Sequence, residues 1–259
     1  FMTYEAIEYS VSDKVATITL NRPEVLNGLS DQMRAEILDA IREAPKEAKV
    51  VVITGKGRGF CAGQDLGGAK DVTQIDLEGI LRDEYEPMLR AIYDCPLPVI
   101  SAVNGPAAGA GANLALAADV VIAKESAYFL QAFAPIGLIP DAGGTYFLPR
   151  NIGLAKAMGA AMFADKISAK QASDWGMIWE AVPDEAFDET VAKRAATIAN
   201  GPSEAFRRIK KTLRASLENS LDDQLKMEAR VQGKLGKSHD FQEGVLAFLE
   251  KRKPKFEGR

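Results

Sequence analysis

Residues 105–119 read Gly-Pro-Ala-Ala-Gly-Ala-Gly-Ala-Asn-Leu-Ala-Leu-Ala-Ala-Asp, almost all small side chains, after a strand-like run at 98–104. Small residues at a helix start let a ligand lie against the backbone. The first N–H groups of such a helix have no internal partner and carry the positive dipole end. That is an oxyanion cradle made without a charged side chain. Some twenty residues later, Gly-Leu-Ile-Pro-Asp-Ala-Gly-Gly-Thr (137–145) sets one carboxylate, Asp141, in a Pro/Gly turn between apolar flanks. A backbone cradle beside a carboxylate in an apolar wall points to enolate chemistry on a carbonyl compound. Two milder readings stand beside it. Asp141 can be a helix N-cap, since Pro-Asp-x-Gly is ordinary turn chemistry. Gly109-Ala110-Gly111 can be close helix–strand packing.

Other chemistries lack their residues. The single histidine, His239, lies near the C-terminus and reads as surface or capping. Ser-His-Asp hydrolysis or a His-rich zinc site would have to be built on it alone. Cys61 and Cys95 have no C-x-x-C spacing, which fits a reducing cytoplasm and no metal site. Cys61 reads as a small buried hydrophobe. Neither dinucleotide nor P-loop glycine motifs occur. A net charge of −4 argues against nucleic acid, and no apolar run approaches membrane-helix length. The start has no basic segment or apolar h-region, so no signal peptide is expected, and Phe1 ahead of Met2 reads as an added residue.

The elements that must position these residues alternate. Strand patterns at 4–10 and 15–20 pair around a turn at Ser12-Asp13. Ser30 caps a helix over 31–43 with Met33, Ile37, Leu38 and Ile41 on its apolar stripe. Buried strands follow at 50–54, 99–103 and 119–123, with a glycine-rich loop at 55–63 and a helix over 76–93. Beyond Thr145 helices dominate, at 154–163, 169–175, 185–200, 203–217, 221–235 and 239–251, with one strand at 177–182. This predicts an α/β core over 2–183 and a helical region over 184–259. The apolar faces of the late helices predict a homo-oligomer.

Four motifs in order resemble the enoyl-CoA hydratase/isomerase (crotonase) superfamily. They are Leu-Asn-Arg-Pro (20–23), Gly-Phe-Cys-Ala-Gly-Gln-Asp-Leu (59–66), Ala-Val-Asn-Gly-Pro-Ala-Ala-Gly-Ala-Gly (102–111) and the block at 137–145. The resemblance runs from about residue 5 to 256. It implies a ClpP-like spiral of β-β-α units with a helical C-terminal trimerisation region, assembling as a homotrimer or a dimer of trimers. It implies acyl-CoA thioester substrates, with coenzyme A part of the substrate and no separate cofactor. By motif, the two oxyanion donors are the N–H groups of Gln64 and Ala110. Ala62, Gly63, Asp65, Leu66, Gly109, Asn113, Phe133, Ile139 and Pro140 are the implied substrate contacts, Asp65 also fixing its loop. Family hydratases carry two glutamates, and their positions here hold Asn113 and Phe133. Asp141 stands where isomerases of the family, and its dehalogenases, keep a working aspartate.

The wider block 137–150, with Trp-Gly-Met-Ile-Trp at 175–179, is most similar to the branch that converts ring-epoxidised phenylacetyl-CoA to its oxepin in aerobic phenylacetate breakdown. The reading is an isomerase with Asp141 as acid/base, acting on that substrate or shifting enoyl-CoA double bonds. A hydratase of other specificity, Asp141 as a covalent nucleophile in dehalogenation or thioester cleavage, and acyl-CoA binding without turnover are the alternatives. Tyr85, Leu89, Phe129 and Phe133 read either as core or as walls of a ring pocket. The basic tail Lys251, Arg252, Lys253 and Lys255 reads as a solvated end or a contact for coenzyme A phosphates.

Overall fold

The computed structural model describes residues 3–66 and 71–259; Phe1, Met2, where the expected core begins, and residues 67–70 lie outside the described residues. Strands β1 (Ile7–Ser12) and β2 (Val15–Leu20) pair antiparallel. Their two-residue turn is Asp13-Lys14, both at positive φ, the twist-matched hairpin geometry. The turn falls one residue later than the sequence suggested. In β2, Ala16, Ile18 and Leu20 are fully buried and alternate with half-buried partners. Strand β3 (Val50–Gly55) runs parallel to β2, and β4 (Val99–Val103) parallel to β3. All five residues of β4 are buried, as expected of a parallel strand covered on both faces.

Short β5 (Ala107–Ala108) leaves that sheet, while β6 (Val120–Lys124) continues it beside β4. β5 joins β7 (Tyr128–Leu130) and β8 (Ile167–Ser168) in a second, three-stranded sheet. β9 (Glu180–Val182) closes the first sheet in the order β1-β2-β3-β4-β6-β9. The small sheet escaped the sequence reading because its strands are too short to show a period.

Helix α1 (Asp31–Glu43) is capped by Ser30, whose hydroxyl accepts from Met33 N–H at 3.1 Å. Met33, Ile37 and Ile41 pack into the core, while Leu38 is only half-buried; Arg34 and Glu36 are buried as well. Glu36 accepts from the Glu5, Ala6 and Ile7 N–H groups and so ties the first strand to α1. The helix expected over 76–93 is α2 (Leu77–Ile80), a π-turn (Leu81–Tyr85) and α3 (Glu86–Tyr93). Pro87 lacks the N–H that an α-ladder needs, and the widened turn stands where that donor is missing. Helix α4 (Ala110–Leu116) is the small-residue helix, buried throughout.

Helix α5 (Gly144–Phe163) starts ten residues before the expected one, and Gly153 leaves helical geometry inside it. Gly143, Gly144 and Pro149 made the first half look like loop. Helices α6 (Ala169–Asp174), α7 (Phe187–Ala199), α8 (Ser203–Ala215), α9 (Leu221–Leu235) and α10 (His239–Leu249) complete the chain. One sheet face packs on α1, α3 and α4; α7 covers Val50, Val52, Ile100 and Ile122 on the other. Among the described residues, no helix is long and apolar enough to cross a membrane.

Candidate active site

The two glycine loops of the sequence reading are laced together. Phe60 N–H donates to Pro106 O (3.0 Å), and Ala108 N–H donates to Cys61 O (3.0 Å). The backbones come so close that a Cβ on Gly111 would lie 2.3 Å from Cys61 O. Gly63, at φ +95°, does the same one turn away: its Cβ would stand 2.8 Å from Ala108 O and 3.3 Å from Ala110 N. The peptide between Gly63 and Gln64 therefore adjoins the start of α4. Leu29 N–H donates to Gly63 O, and Asp65 N–H to Leu29 O; neither bond uses the Gln64 N–H. Gly109, also at positive φ, gives its N–H to Leu130 O at 2.7 Å, so β7 fixes the entry to α4. Ala110 opens α4, where an N–H has no intrahelical acceptor.

Asp141 does not cap α5. The residue before that helix is Gly143, which makes no side-chain cap bond. The turn is held by its main chain instead, with Gly144 N–H donating to Asp141 O at 2.8 Å and Ala142 at φ +50°. The Asp141 Oδ1 atom is buried with no hydrogen-bond partner among the described residues. Burial pushes this carboxyl from its ordinary 3.8 up to about 6, against a smaller lowering by its own N–H. A buried carboxylate oxygen without a donor is costly unless it has a task.

Asn113, expected among the substrate contacts, is fully buried and turned elsewhere. Its Nδ2 donates to Asp141 O (2.8 Å) and Gln131 Oε1 (3.1 Å), and Gln131 Nε2 donates back to Asn113 Oδ1 (2.8 Å). The amide pair is a bracket under the Asp141 turn. Gly144 is glycine because a Cβ there would sit 2.4 Å from Asn113 Nδ2. Gln131 escaped the sequence reading; its only signal was a polar residue between the apolar runs of a short strand and a turn.

The other expected contacts divide. Phe133 is buried with its ring 3.8 Å from where a Gly109 Cβ would be, an apolar wall beside the cradle. Pro140 is buried under the turn, whereas Ile139 is 74% exposed and Leu66 53% exposed. Ala62 is exposed too. Asp65 pairs with Arg22 at 2.8 Å, consistent with a loop anchor. Cys61 is buried, its Sγ directed at Asn27 O (3.1 Å), and burial pushes its thiol up to about 12, which excludes a thiolate nucleophile. His239 lies beside Asp240 at the start of α10. Arg252 in the basic tail is bound to Glu243 and Glu250.

A cleft of about 560 Å³ opens beside Ala142 and Gly143, lined by Leu81, Tyr85, Leu89, Tyr93, Tyr146 and Phe147. Tyr85 and Leu89, which the sequence left open between core and wall, line it; Tyr93, Tyr146 and Phe147 were not singled out. Phe129 belongs to the core. The aromatic wall packs edge to face, with Tyr146 and Phe147 centroids 5.5 Å apart. A larger cleft, about 770 Å³, lies on the far side of Tyr93, Tyr146 and Phe147, against α8. Its carboxylate, Asp119, is neutralised by Lys210 (2.9 Å) and Arg214 (2.8 Å). The smaller cleft adjoins Asp141 in sequence through Ala142 and Gly143, and Glu86 and Arg90 also line it. Among the described residues, no three His, Cys, Asp or Glu side chains are grouped to hold a metal.

A model of the enoyl-CoA hydratase/isomerase family matches residues 10–259. A Rhodobacter capsulatus protein named a probable enoyl-CoA hydratase is 59% identical over the full length of both chains. The 1,2-epoxyphenylacetyl-CoA isomerase of Escherichia coli is 45% identical over 98% of this chain and 99% of its own. The solved structure of an enoyl-CoA hydratase from Bacillus anthracis superimposes with a TM-score of 0.91, at 32% identity, over 98% of this chain and 100% of its own.

Proposed function

The chain belongs to the enoyl-CoA hydratase/isomerase family, and within it we propose an acyl-CoA thioester isomerase with Asp141 as its single acid/base. One observation carries the reading. The carboxyl next to the cleft is that of half-buried Asp141, whose Oδ1 is buried without a partner and whose pKa is raised to about 6, while positions 113 and 133 hold a buried amide and a phenyl ring. Hydration needs one group to activate water and another to protonate the α-carbon. A proton shuttle needs only one.

In this mechanism the thioester oxygen lies between the Gln64 and Ala110 N–H groups. Each such donor is worth about 3–4 kcal/mol as charge develops on oxygen. Asp141 takes a proton from the α-carbon, leaving an enolate conjugated with the neighbouring double bond. It returns that proton to a carbon further along the conjugated system, so the double bond moves and no atom is lost or gained. A carboxyl at about 6 is a stronger base than a solvated one and is still mostly ionised at neutral pH.

The aromatic walls of the cleft suit a ring-bearing acyl group. The identity to the E. coli epoxide isomerase supports ring-epoxidised phenylacetyl-CoA as substrate, with enoyl-CoA double-bond shift as a related activity. The R. capsulatus relative favours the second reading, a hydratase. The deciding assay offers purified protein a ring-epoxide CoA thioester, a 3-enoyl-CoA and crotonyl-CoA. Isomerisation of one of the first two should exceed crotonyl-CoA hydration by roughly a hundredfold or more. Hydration as fast as any isomerisation would sink the proposal.

A further inference from the structure

The Gln64 side chain has a polar end that the oxyanion cradle does not use. Its Oε1 accepts from Arg34 Nη1 at 3.1 Å and from the Tyr85 hydroxyl. A guanidinium only donates, so the amide atom facing it is the oxygen. The amide is thereby oriented, with Nε2 directed away from both donors. Arg34 is itself fixed. It is buried, its Nε donates to Glu84 (2.9 Å), its Nη1 donates to Leu29 O (2.8 Å), and its guanidinium carbon lies 4.8 Å from the Tyr85 ring centroid. Among the described residues no acceptor stands at Gln64 Nε2.

The other end of this network reaches the cleft. Tyr85 lines it beside Ala142 and Gly143, and Asp141 is close enough for its charge to act on the Tyr85 hydroxyl. Burial keeps that hydroxyl protonated, so it donates to Gln64 and is no base. The fixed amide thus joins the peptide at position 64 to Tyr85, a wall of the cleft. A carboxylate at position 64 would satisfy Arg34 and Tyr85 equally well; what an amide adds is a donor.

Resting on the isomerase reading above, we propose that Gln64 Nε2–H donates to an oxygen carried by the acyl group. The site then selects oxygen-bearing acyl-CoA thioesters over hydrocarbon ones of the same shape, and Arg34 and Tyr85 act as positioning residues.

The test uses two unreactive probes of matched shape, 2-methoxyphenylacetyl-CoA and 2-ethylphenylacetyl-CoA, which differ by one ether oxygen. Calorimetry on the full chain should show the methoxy probe bound roughly three- to tenfold tighter, the value of one neutral hydrogen bond. Gln64→Glu keeps the acceptor for Arg34 and Tyr85 but has no N–H, and its preference should fall to about one. Gln64→Met should do the same, and Arg34→Met, which frees the amide, should shrink the ratio. A wild-type ratio near one, or a ratio retained in Gln64→Glu, would overturn the proposal. Neither probe has a double bond to move, so the ratio is read independently of turnover. A protein that isomerises and shows no preference refutes this inference alone. One that prefers the ether and isomerises nothing refutes the isomerase reading.

Discussion

Replacing Asp141 by Asn should slow the enzyme and stabilise it at once. The carboxyl is shifted from 3.8 to about 6 by burial. At about 1.36 kcal/mol per pH unit, that gap corresponds to about 3 kcal/mol. The group is only half-buried, so solvent screening reduces the figure to about 1–2 kcal/mol. The sign follows from the direction. A carboxyl raised in the folded state favours the protonated form, so its contribution to stability is full below pH 3.8 and is lost as pH rises through about 6. Above that, wild type holds an ionised carboxylate at a cost that Asn does not carry. Asp141→Asn should therefore melt roughly 2–6 °C higher than wild type at pH 7.5, at equal protein concentration, and about level with it near pH 4. Turnover should fall by roughly 10²–10⁴, the usual worth of an acid/base group. In wild type, kcat/KM should drop about tenfold per pH unit below pH 6. Thermal melts across pH 4–8, with initial rates on the same preparations, check all three. A stability gap that does not change with pH refutes the buried-carboxylate argument. A variant with near-normal turnover removes Asp141 from the mechanism.

Gly63→Ala would push a Cβ to 2.8 Å from Ala108 O at a positive φ, so kcat should fall by roughly 10²–10³ as the Gln64 N–H is displaced, with a stability loss of about 1–3 kcal/mol; unchanged turnover would show that this peptide is not in the cradle. Asn113→Ala leaves Gln131 and the Asp141 carbonyl without their partner in a buried place, and urea unfolding should show a loss of roughly 2–4 kcal/mol; a loss under about 1 kcal/mol would mean that water replaces the bracket. Leu213, Leu217, Leu221, Leu225, Phe248 and Leu249 are all more than half exposed on or beside the late helices, and sedimentation should find trimers or dimers of trimers. A single-chain mass at micromolar concentration rules that out.

Regular elements were legible where one period ruled. The strand at 15–20 and the helices at 31–43 and 221–235 have the expected bounds, and Ser30 caps the first of these helices as expected. Legibility failed where a few residues act through the rest of the fold. β5 and β8 are two residues long and owe their existence to the loops they pair with. Pro149 and the glycines before it masked the first turns of α5, which form because Gly144 can pack against Asn113. The loops at 59–64 and 105–111 meet through their backbones, a closeness that the sequence suggested only for 109–111, as helix–strand packing. Arg34 was invisible for a different reason. A charged residue next to an apolar position on an amphipathic helix ordinarily faces water, and only the Glu84, Leu29 and Gln64 acceptors brought together by folding make it a buried one.

Position 113 shows how a change of one functional group can move the chemistry elsewhere. The resemblance puts a hydratase glutamate there, and a carboxylate can only accept hydrogen bonds when ionised. The Asp141 carbonyl and the Gln131 Oε1 are both acceptors, so neither can be held by an ionised acid. An amide meets them with its two N–H groups and uses its own oxygen for Gln131 Nε2, so every polar atom of the pair has a partner. The carboxylate that would have worked at 113 is thus replaced by a donor that pins the main chain of Asp141, 2.8 Å away, while the Asp141 side chain is left with an unpaired oxygen. A rigid peptide carrying an unsatisfied carboxyl is the arrangement that a proton shuttle requires, because the backbone holds position and the oxygen stays available to the substrate. On this reading the loss of the acid at 113 and the use of the acid at 141 are one change, joined by a single hydrogen bond.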